Sequence, residues 1–231
     1  MTSLGAYYRL TKPGIIYGNA LVAAAGFLYA SAGNINWFLF FHTILGLSFI
    51  IASACVFNNY FDRDIDKKME RTKTRALAAG DISGSAALSF GMLLLLAGAL
   101  MLFFLTNLLT LGVALAGWII YVIAYTPLKH ITPHALWVGA LAGATPPVVG
   151  YVAVTHMLDF TALAFFIFLF VWQVPHFLGI AAYRFDEYHA AGIPLLIKNR
   201  PNESGKKTGR IIFYCSLAVL LVWCAALMLH R

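Results

Sequence analysis

The sequence predicts an all-α integral membrane protein, a multi-helix transmembrane bundle forming one domain over residues 1–231. Three observations predict it. First, 61% of the 231 residues are hydrophobic and only 11% are charged, against about 25% charged in ordinary soluble domains. A water-soluble fold could not cover its surface with so little polar material. The mean hydropathy of +0.80 agrees. Second, no Lys, Arg, Asp or Glu lies between Lys12 and Asp62, Asp81 and Lys129, Lys129 and Asp159, or Asp159 and Arg184. Third, the cations are confined to alternate connections between these stretches. The solvent this chain requires is a bilayer, and despite its net charge of +7 it is not a nucleic-acid module.

The elements follow in order. A span needs about 20 apolar residues at about 1.5 Å each, so each of the first two charge-free stretches holds two. Gly33-Asn34-Ile35-Asn36 divides the first into spans near 15–31 and 37–57, and Thr106-Asn107 divides the second into spans near 86–105 and 108–125. A fifth span runs near 134–154. Its Gly143-Ala144-Thr145-Pro146-Pro147 should break the helix locally, as broken membrane helices do beside cavities. The sixth, near 161–183, contains Trp172-Gln173-Val174-Pro175-His176-Phe177, where Pro175 removes a backbone donor. The seventh lies near 211–229.

Segments 1–14, 58–85, 126–133 and 184–210 hold 15 of the 16 Lys and Arg, whereas the turns at 32–36, 106–107 and 155–160 hold none. This bias places the N-terminus and the two long loops in the cytoplasm. It also argues against a cleaved signal peptide at the first span, despite Arg9, Lys12 and the cleavage-like Ala30-Ser31-Ala32, because removing one helix would invert it. Cys55, Cys215 and Cys224 all lie in apolar segments and read as inert packing residues. Cys215 and Cys224 are about 13 Å apart along one helix, too far to bond. The aromatic load of 18 Phe, 11 Tyr and 5 Trp exceeds an interfacial belt and suits packing or a cavity lining.

Chemistry concentrates in the two long loops, 58–85 and 184–210, which follow the second and sixth helices and hold eight of the nine carboxylates. Asn58, Asp62 and Asp66 are spaced i, i+4, i+8. If the second helix continues through them they form a row on one face, which Glu70 would extend. Like charges at this spacing repel, so a positive group is expected among them. Two carboxylates and an amide oxygen suit Mg²⁺, which completes its shell with water and substrate phosphate. Lys67, Arg71 and Arg75 form a second row, one residue out of phase, that could grip a diphosphate from the other side. The competing reading is a solvated charged loop with local ion pairs. Phe185-Asp186-Glu187-Tyr188 echoes Phe61-Asp62 after its own helix, a faint sign of two pseudo-repeated four-helix halves. Gln173 and His176 are polar groups at membrane depth, which face a bundle interior. A neutral imidazole there could ligate iron or simply be a hydrogen-bonded interior histidine.

Asn58-Asn59-Tyr60-Phe61-Asp62-Arg63-Asp64-Ile65-Asp66 resembles the N-x-x-x-D-x-x-x-D signature of the UbiA-type intramembrane aromatic prenyltransferases. Met69-Glu70-Arg71-Thr72 and the Trp172–Phe177 block are similar to the protoheme IX farnesyltransferase (heme O synthase) branch of that family. So are Thr11-Lys12-Pro13-Gly14, Tyr125-Thr126-Pro127-Leu128-Lys129, the 143–150 block and Ala191-Gly192-Ile193-Pro194. The resemblance runs from about residue 9 to 210. It implies transfer of a farnesyl group from farnesyl diphosphate to a vinyl group of heme b, with water addition, giving heme O. Heme b is then a substrate and Mg²⁺ the cofactor.

Carried over by position, Asn58, Asp62 and Asp66 would hold the metal. Lys67, Arg71, Arg75 and Lys129 would bind the diphosphate, with Asp62, Asp66, Arg71 and Arg75 as the catalytic set. Asp186 and Glu187 would form a second acidic segment, and His176 and Gln173 would contact heme. The resemblance further implies a bacterial inner-membrane location and an assembly with a terminal oxidase or heme A synthase. The family usually has nine spans where this chain supports seven, so the sequence is either a natural short form or incomplete. The alternatives are another aromatic prenyltransferase making a quinone or chlorophyll-type product, a secondary transporter, or a non-catalytic assembly subunit.

Overall fold

The computed structural model describes residues 3–230, and among them every regular element is helical. Seven helices are long and apolar enough to cross a membrane: α1 (Pro13–Ser31), α2 (Trp37–Asp66), α3 (Gly84–Leu105), α4 (Leu108–Leu128), α5 (Ala135–Thr155), α6 (Phe160–Tyr183) and α7 (Glu203–Leu229). Short helices at Ser3–Leu10, Ala76–Ala79 and Phe185–Ala190 decorate one end. The expected multi-pass bundle is borne out.

The polar residues that divide the apolar stretches are helix caps. The side-chain oxygens of Asn36, Ser83, Asn107, Asp159 and Asn202 accept from backbone N–H groups of the first turns of α2, α3, α4, α6 and α7, at 2.8–3.2 Å. Two boundaries differ from expectation. Helix α2 runs nine residues past 57, to Asp66. Helix α7 begins at Glu203 rather than near 211, because Asn202 caps a charged turn stiffened by the Lys206–Glu203 pair at 2.9 Å. Hydropathy locates only the part of a helix that needs lipid; it is blind to polar turns that extend it into water.

Helix α2 lies along α3, α1 against the second half of α5, and α6 against α7, which returns to α1. Helix α5 sits at the centre: 72% of its apolar window is buried, against 17–50% for the other spans. It breaks at Ala144, as the proline pair requires, and Pro146 and Pro147 occupy the first turn of the second half, where a missing N–H costs nothing. The central position explains two glycines. A Cβ at Gly150 would overlap the Ala23 carbonyl of α1, and one at Gly26 would overlap the Pro147 carbonyl of α5. Backbones approach this closely only where side chains are absent. Cys55 and Cys224 are buried as expected, but Cys215 is exposed on the outer face of α7.

Helix α4 carries a π-helical turn at Ile120–Tyr125. The Thr126 hydroxyl donates to the Tyr121 carbonyl at 2.8 Å and supports this wider turn. The register shift leaves Tyr121 and Tyr125 lining the bundle interior together, their rings 5.2 Å apart.

Candidate active site

The extension of α2 is what builds the site. Asn58, Asp62 and Asp66 fall on its inner face and are buried to 1%, 7% and 2% exposure, within a polar cavity of about 290 Å³. Burying two carboxylates is costly unless each is paired, and each is. Asp62 accepts from Lys129 Nζ at 2.5 Å and from His130 Nε2 at 3.0 Å. Asp66 takes both contacts from Arg75 Nη1, at 2.8 and 2.9 Å. Lys12 donates to Asn58 Oδ1, whose own amide nitrogen donates to Thr126 at 3.1 Å.

Lys12 is brought in by an unusual backbone. It sits at φ 52°, in the left-handed region, which costs a non-glycine residue free energy. Asn59 Nδ2 holds the preceding segment by donating to the Leu10 carbonyl at 2.7 Å. Burial, and then the nearby Arg75, push the Lys12 ammonium down to about 8, leaving it charged at neutral pH. Four cations, Lys12, Arg71, Arg75 and Lys129, line the cavity against two carboxylates. The excess is positive, which suits an anion. Tyr188 lines it as well, its hydroxyl kept protonated by burial.

Other predicted residues are placed elsewhere. The helical row ends at Asp66, where the Thr72 hydroxyl caps the Asp66 carbonyl at 2.9 Å and the chain turns away. Glu70 therefore does not extend the row: its side chain is 86% exposed and pairs with Lys73. Lys67 pairs with Asp64 at 3.1 Å outside the cavity, so Arg71 and Arg75 reach the cavity through a turn rather than along a cation row. Asp186 and Glu187 do not line the cavity either. Lys206 and Arg200, each at 2.8 Å, hold the Asp186 carboxyl below its usual range. Glu187 accepts from Arg184 at 3.3 Å and from Arg71 at 3.2 Å, tying the second long loop to the first.

We expect Glu187→Gln to lower stability by less than about 1 kcal/mol, as for other partly exposed pairs, and to weaken binding of inorganic pyrophosphate, read by isothermal titration, by loosening Arg71 at the cavity wall. Unchanged pyrophosphate binding would show that Glu187 does not position Arg71.

Beneath the polar cavity lies a second of about 460 Å³, with Tyr121, Tyr125 and Phe177 common to both linings. It is walled by apolar side chains with Trp118, Trp172, Gln173 and His176, and among the described residues no Asp or Glu lines it. Gln173 commits its amide nitrogen to the Ala140 and Leu169 carbonyls, both at 3.1 Å, which staples α6 to α5. His176 Nδ1 lies 2.8 Å from Ser216 Oγ on α7. Sequence reasoning singled out neither Lys12, His130 nor Ser216 as a site residue. Only Lys12 left a signal, as a lone cation at the edge of a 49-residue charge-free stretch.

Among the described residues no group of three or more His, Cys, Asp and Glu forms a closed metal cage. Two buried carboxylates and an amide oxygen on one helix face nonetheless fit Mg²⁺, which takes one or two carboxylates and leaves the remaining positions to water and phosphate. The cations now paired with Asp62 and Asp66 would have to release them to bind an anion beside the metal.

Fold and site together define a multi-pass integral membrane protein whose cation-rich pocket opens at the end of a helical bundle onto an apolar interior. The chain belongs to the UbiA prenyltransferase family, whose model matches residues 19–231. It is 52% identical over 190 residues to a protoheme IX farnesyltransferase of Protochlamydia amoebophila, covering 82% of this chain and 67% of that one. It is 43% identical over 222 residues to a protoheme IX farnesyltransferase of Francisella tularensis subsp. holarctica, covering 95% and 77%. Its fold is similar to that of a UbiA homologue from Archaeoglobus fulgidus solved with GPP and Mg²⁺, with TM-score 0.68, 19% identity and coverage of 98% and 78%. The resemblance drawn from the acidic signature is thereby borne out.

Proposed function

We propose that this chain transfers the farnesyl group of farnesyl diphosphate to a vinyl group of heme b, with addition of water, giving heme O and diphosphate. The observation that carries the reading is the junction of the two cavities. A pocket with excess positive charge and two buried carboxylates meets an apolar chamber at Tyr121, Tyr125 and Phe177. An amphiphile with a diphosphate head and a hydrocarbon tail matches both parts, and the names of the relatives supply the acceptor.

In this reading Asn58, Asp62 and Asp66 hold Mg²⁺, which supplies Lewis-acid neutralisation of the charge on the departing diphosphate. Lys12, Arg71, Arg75 and Lys129 take the remaining phosphate oxygens. The C–O bond breaks with its electron pair leaving on diphosphate, and the vinyl π pair forms the new C–C bond. Water oxygen then captures the heme-side cation and loses a proton. The aromatic trio encloses the allylic carbon and excludes water until the vinyl group has attacked. His176 faces the heme. The cation bias of the long loops supports a cytoplasmic site, and the bacterial sources of the relatives support an inner membrane.

Purified protein incubated with Mg²⁺, farnesyl diphosphate and heme b should yield heme O by mass spectrometry, with none after chelation. Product formed only with a hydroxybenzoate or naphthoate acceptor would overturn the heme assignment and keep the prenyl transfer.

A further inference from the structure

The hydrogen bonds around His176 determine which of its nitrogens carries the proton. Ser216 Oγ lies 2.8 Å from His176 Nδ1 and 2.6 Å from the Phe213 carbonyl of its own helix. A carbonyl oxygen cannot donate, so the single hydroxyl hydrogen of Ser216 lies toward Phe213. Ser216 Oγ is then the acceptor toward His176, and Nδ1 must be the donor. Among the described residues no carboxylate lines the chamber to balance an imidazolium, so the ring is neutral and Nε2 bears a lone pair. Among the described residues the ring's hydrogen bond is the one at Nδ1, and none reaches Nε2.

The ring is also held in place. Trp172 stacks on it at 4.8 Å and 23°, and Phe213 lies 4.9 Å away. Trp172 is fixed in turn by its indole N–H donating to the Ser216 carbonyl at 2.7 Å. One residue of α7 therefore orients both rings of α6, through its backbone and through its side chain. Metal-ligating histidines show this arrangement, with the second ring nitrogen donating to an acceptor that fixes tautomer and orientation.

We propose that Ser216 is a positioning residue, whose hydroxyl locks His176 as the Nδ1–H tautomer so that Nε2 meets the iron of the acceptor substrate as a lone-pair ligand. The proposal deepens the heme reading and rests on it.

The test is a titration of the purified full chain with ferric heme b, read by the Soret band and electron paramagnetic resonance, beside steady-state kinetics. Wild type should show nitrogen-ligated heme, and His176→Ala should lose it. Ser216→Ala should raise heme Kd about 10–100-fold, the usual effect of removing such an outer partner. It should also raise KM for heme while leaving KM for farnesyl diphosphate unchanged, and Ser216→Thr, which keeps the hydroxyl, should restore both. If Ser216→Ala does not fold, Ser216→Cys, similar in size and a weaker hydrogen-bonding group, carries the same comparison.

A Ser216→Ala protein with wild-type spectrum and heme Kd would overturn the proposal and leave the heme reading standing. So would heme O production by a wild type whose bound heme shows no nitrogen ligand. Failure of wild type to bind heme or make heme O would overturn both.

Discussion

Replacing Asp62 and Asp66 together by asparagine is expected to reduce heme O formation about 10³-fold or more. Among the described residues they are the only carboxylates lining the polar cavity, and both are almost completely buried. Asparagine keeps volume and shape but removes the charge that would hold a divalent cation. Losing a single preorganised electrostatic contact at a reacting centre costs about 10²–10³ in rate, and here the whole anionic side of the site goes. The same change strands Lys129 and Arg75 without their carboxylates, so some loss of stability accompanies it. That loss stays below the about 3–5 kcal/mol of a fully buried broken pair, because Arg75 keeps partial solvent contact. Thermal unfolding of the detergent-solubilised variant separates the two effects. Undiminished complementation of heme O production by the double variant would rule out the site.

The largest structural effect is expected at Gly150. Alanine there places a methyl group inside the van der Waals envelope of the Ala23 carbonyl and against the Phe27 backbone. Neither is the mobile end of a side chain, so α1 and α5 must separate. Overpacking of this kind costs typically about 1–3 kcal/mol and occasionally more; at the centre of the bundle we expect the upper end, about 3 kcal/mol. The displacement also moves Gly18 and Val22 of α1 against Thr145 and Pro146 of α5, all of which wall the apolar chamber. A melting temperature within a degree of wild type, with unchanged activity, would show that the two helices are not in backbone contact.

Much of the site could be read from the sequence because helical spacing carries it. Asn58, Asp62 and Asp66 share a face wherever the helix continues, and here it does, through Asp66. The same rule failed one turn later. Extrapolated to Glu70 and Lys67, it assumed a helix that the Thr72–Asp66 bond ends. The second acidic segment shows a different limit. Asp186 and Glu187 echo the first motif in type and position, but a carboxylate takes whichever cation the fold sets beside it. Arg200, Lys206, Arg184 and Arg71 claim these two before they can turn inward. Lys12 and Ser216 stand 46 and 40 residues from the groups they bind, beyond the reach of any local pattern.

The sequence by itself determined what solvent the protein needs, how many spans the described chain makes, and which helix face carries the acids. Those properties depend on the free energy of transferring side chains into lipid and on the 3.6-residue period, both local. Only the tertiary structure decided which cation neutralises which carboxylate, which backbones touch, and which nitrogen of His176 keeps its proton. Those depend on groups that meet across helices, where a shift of one ångström decides whether a hydrogen bond exists.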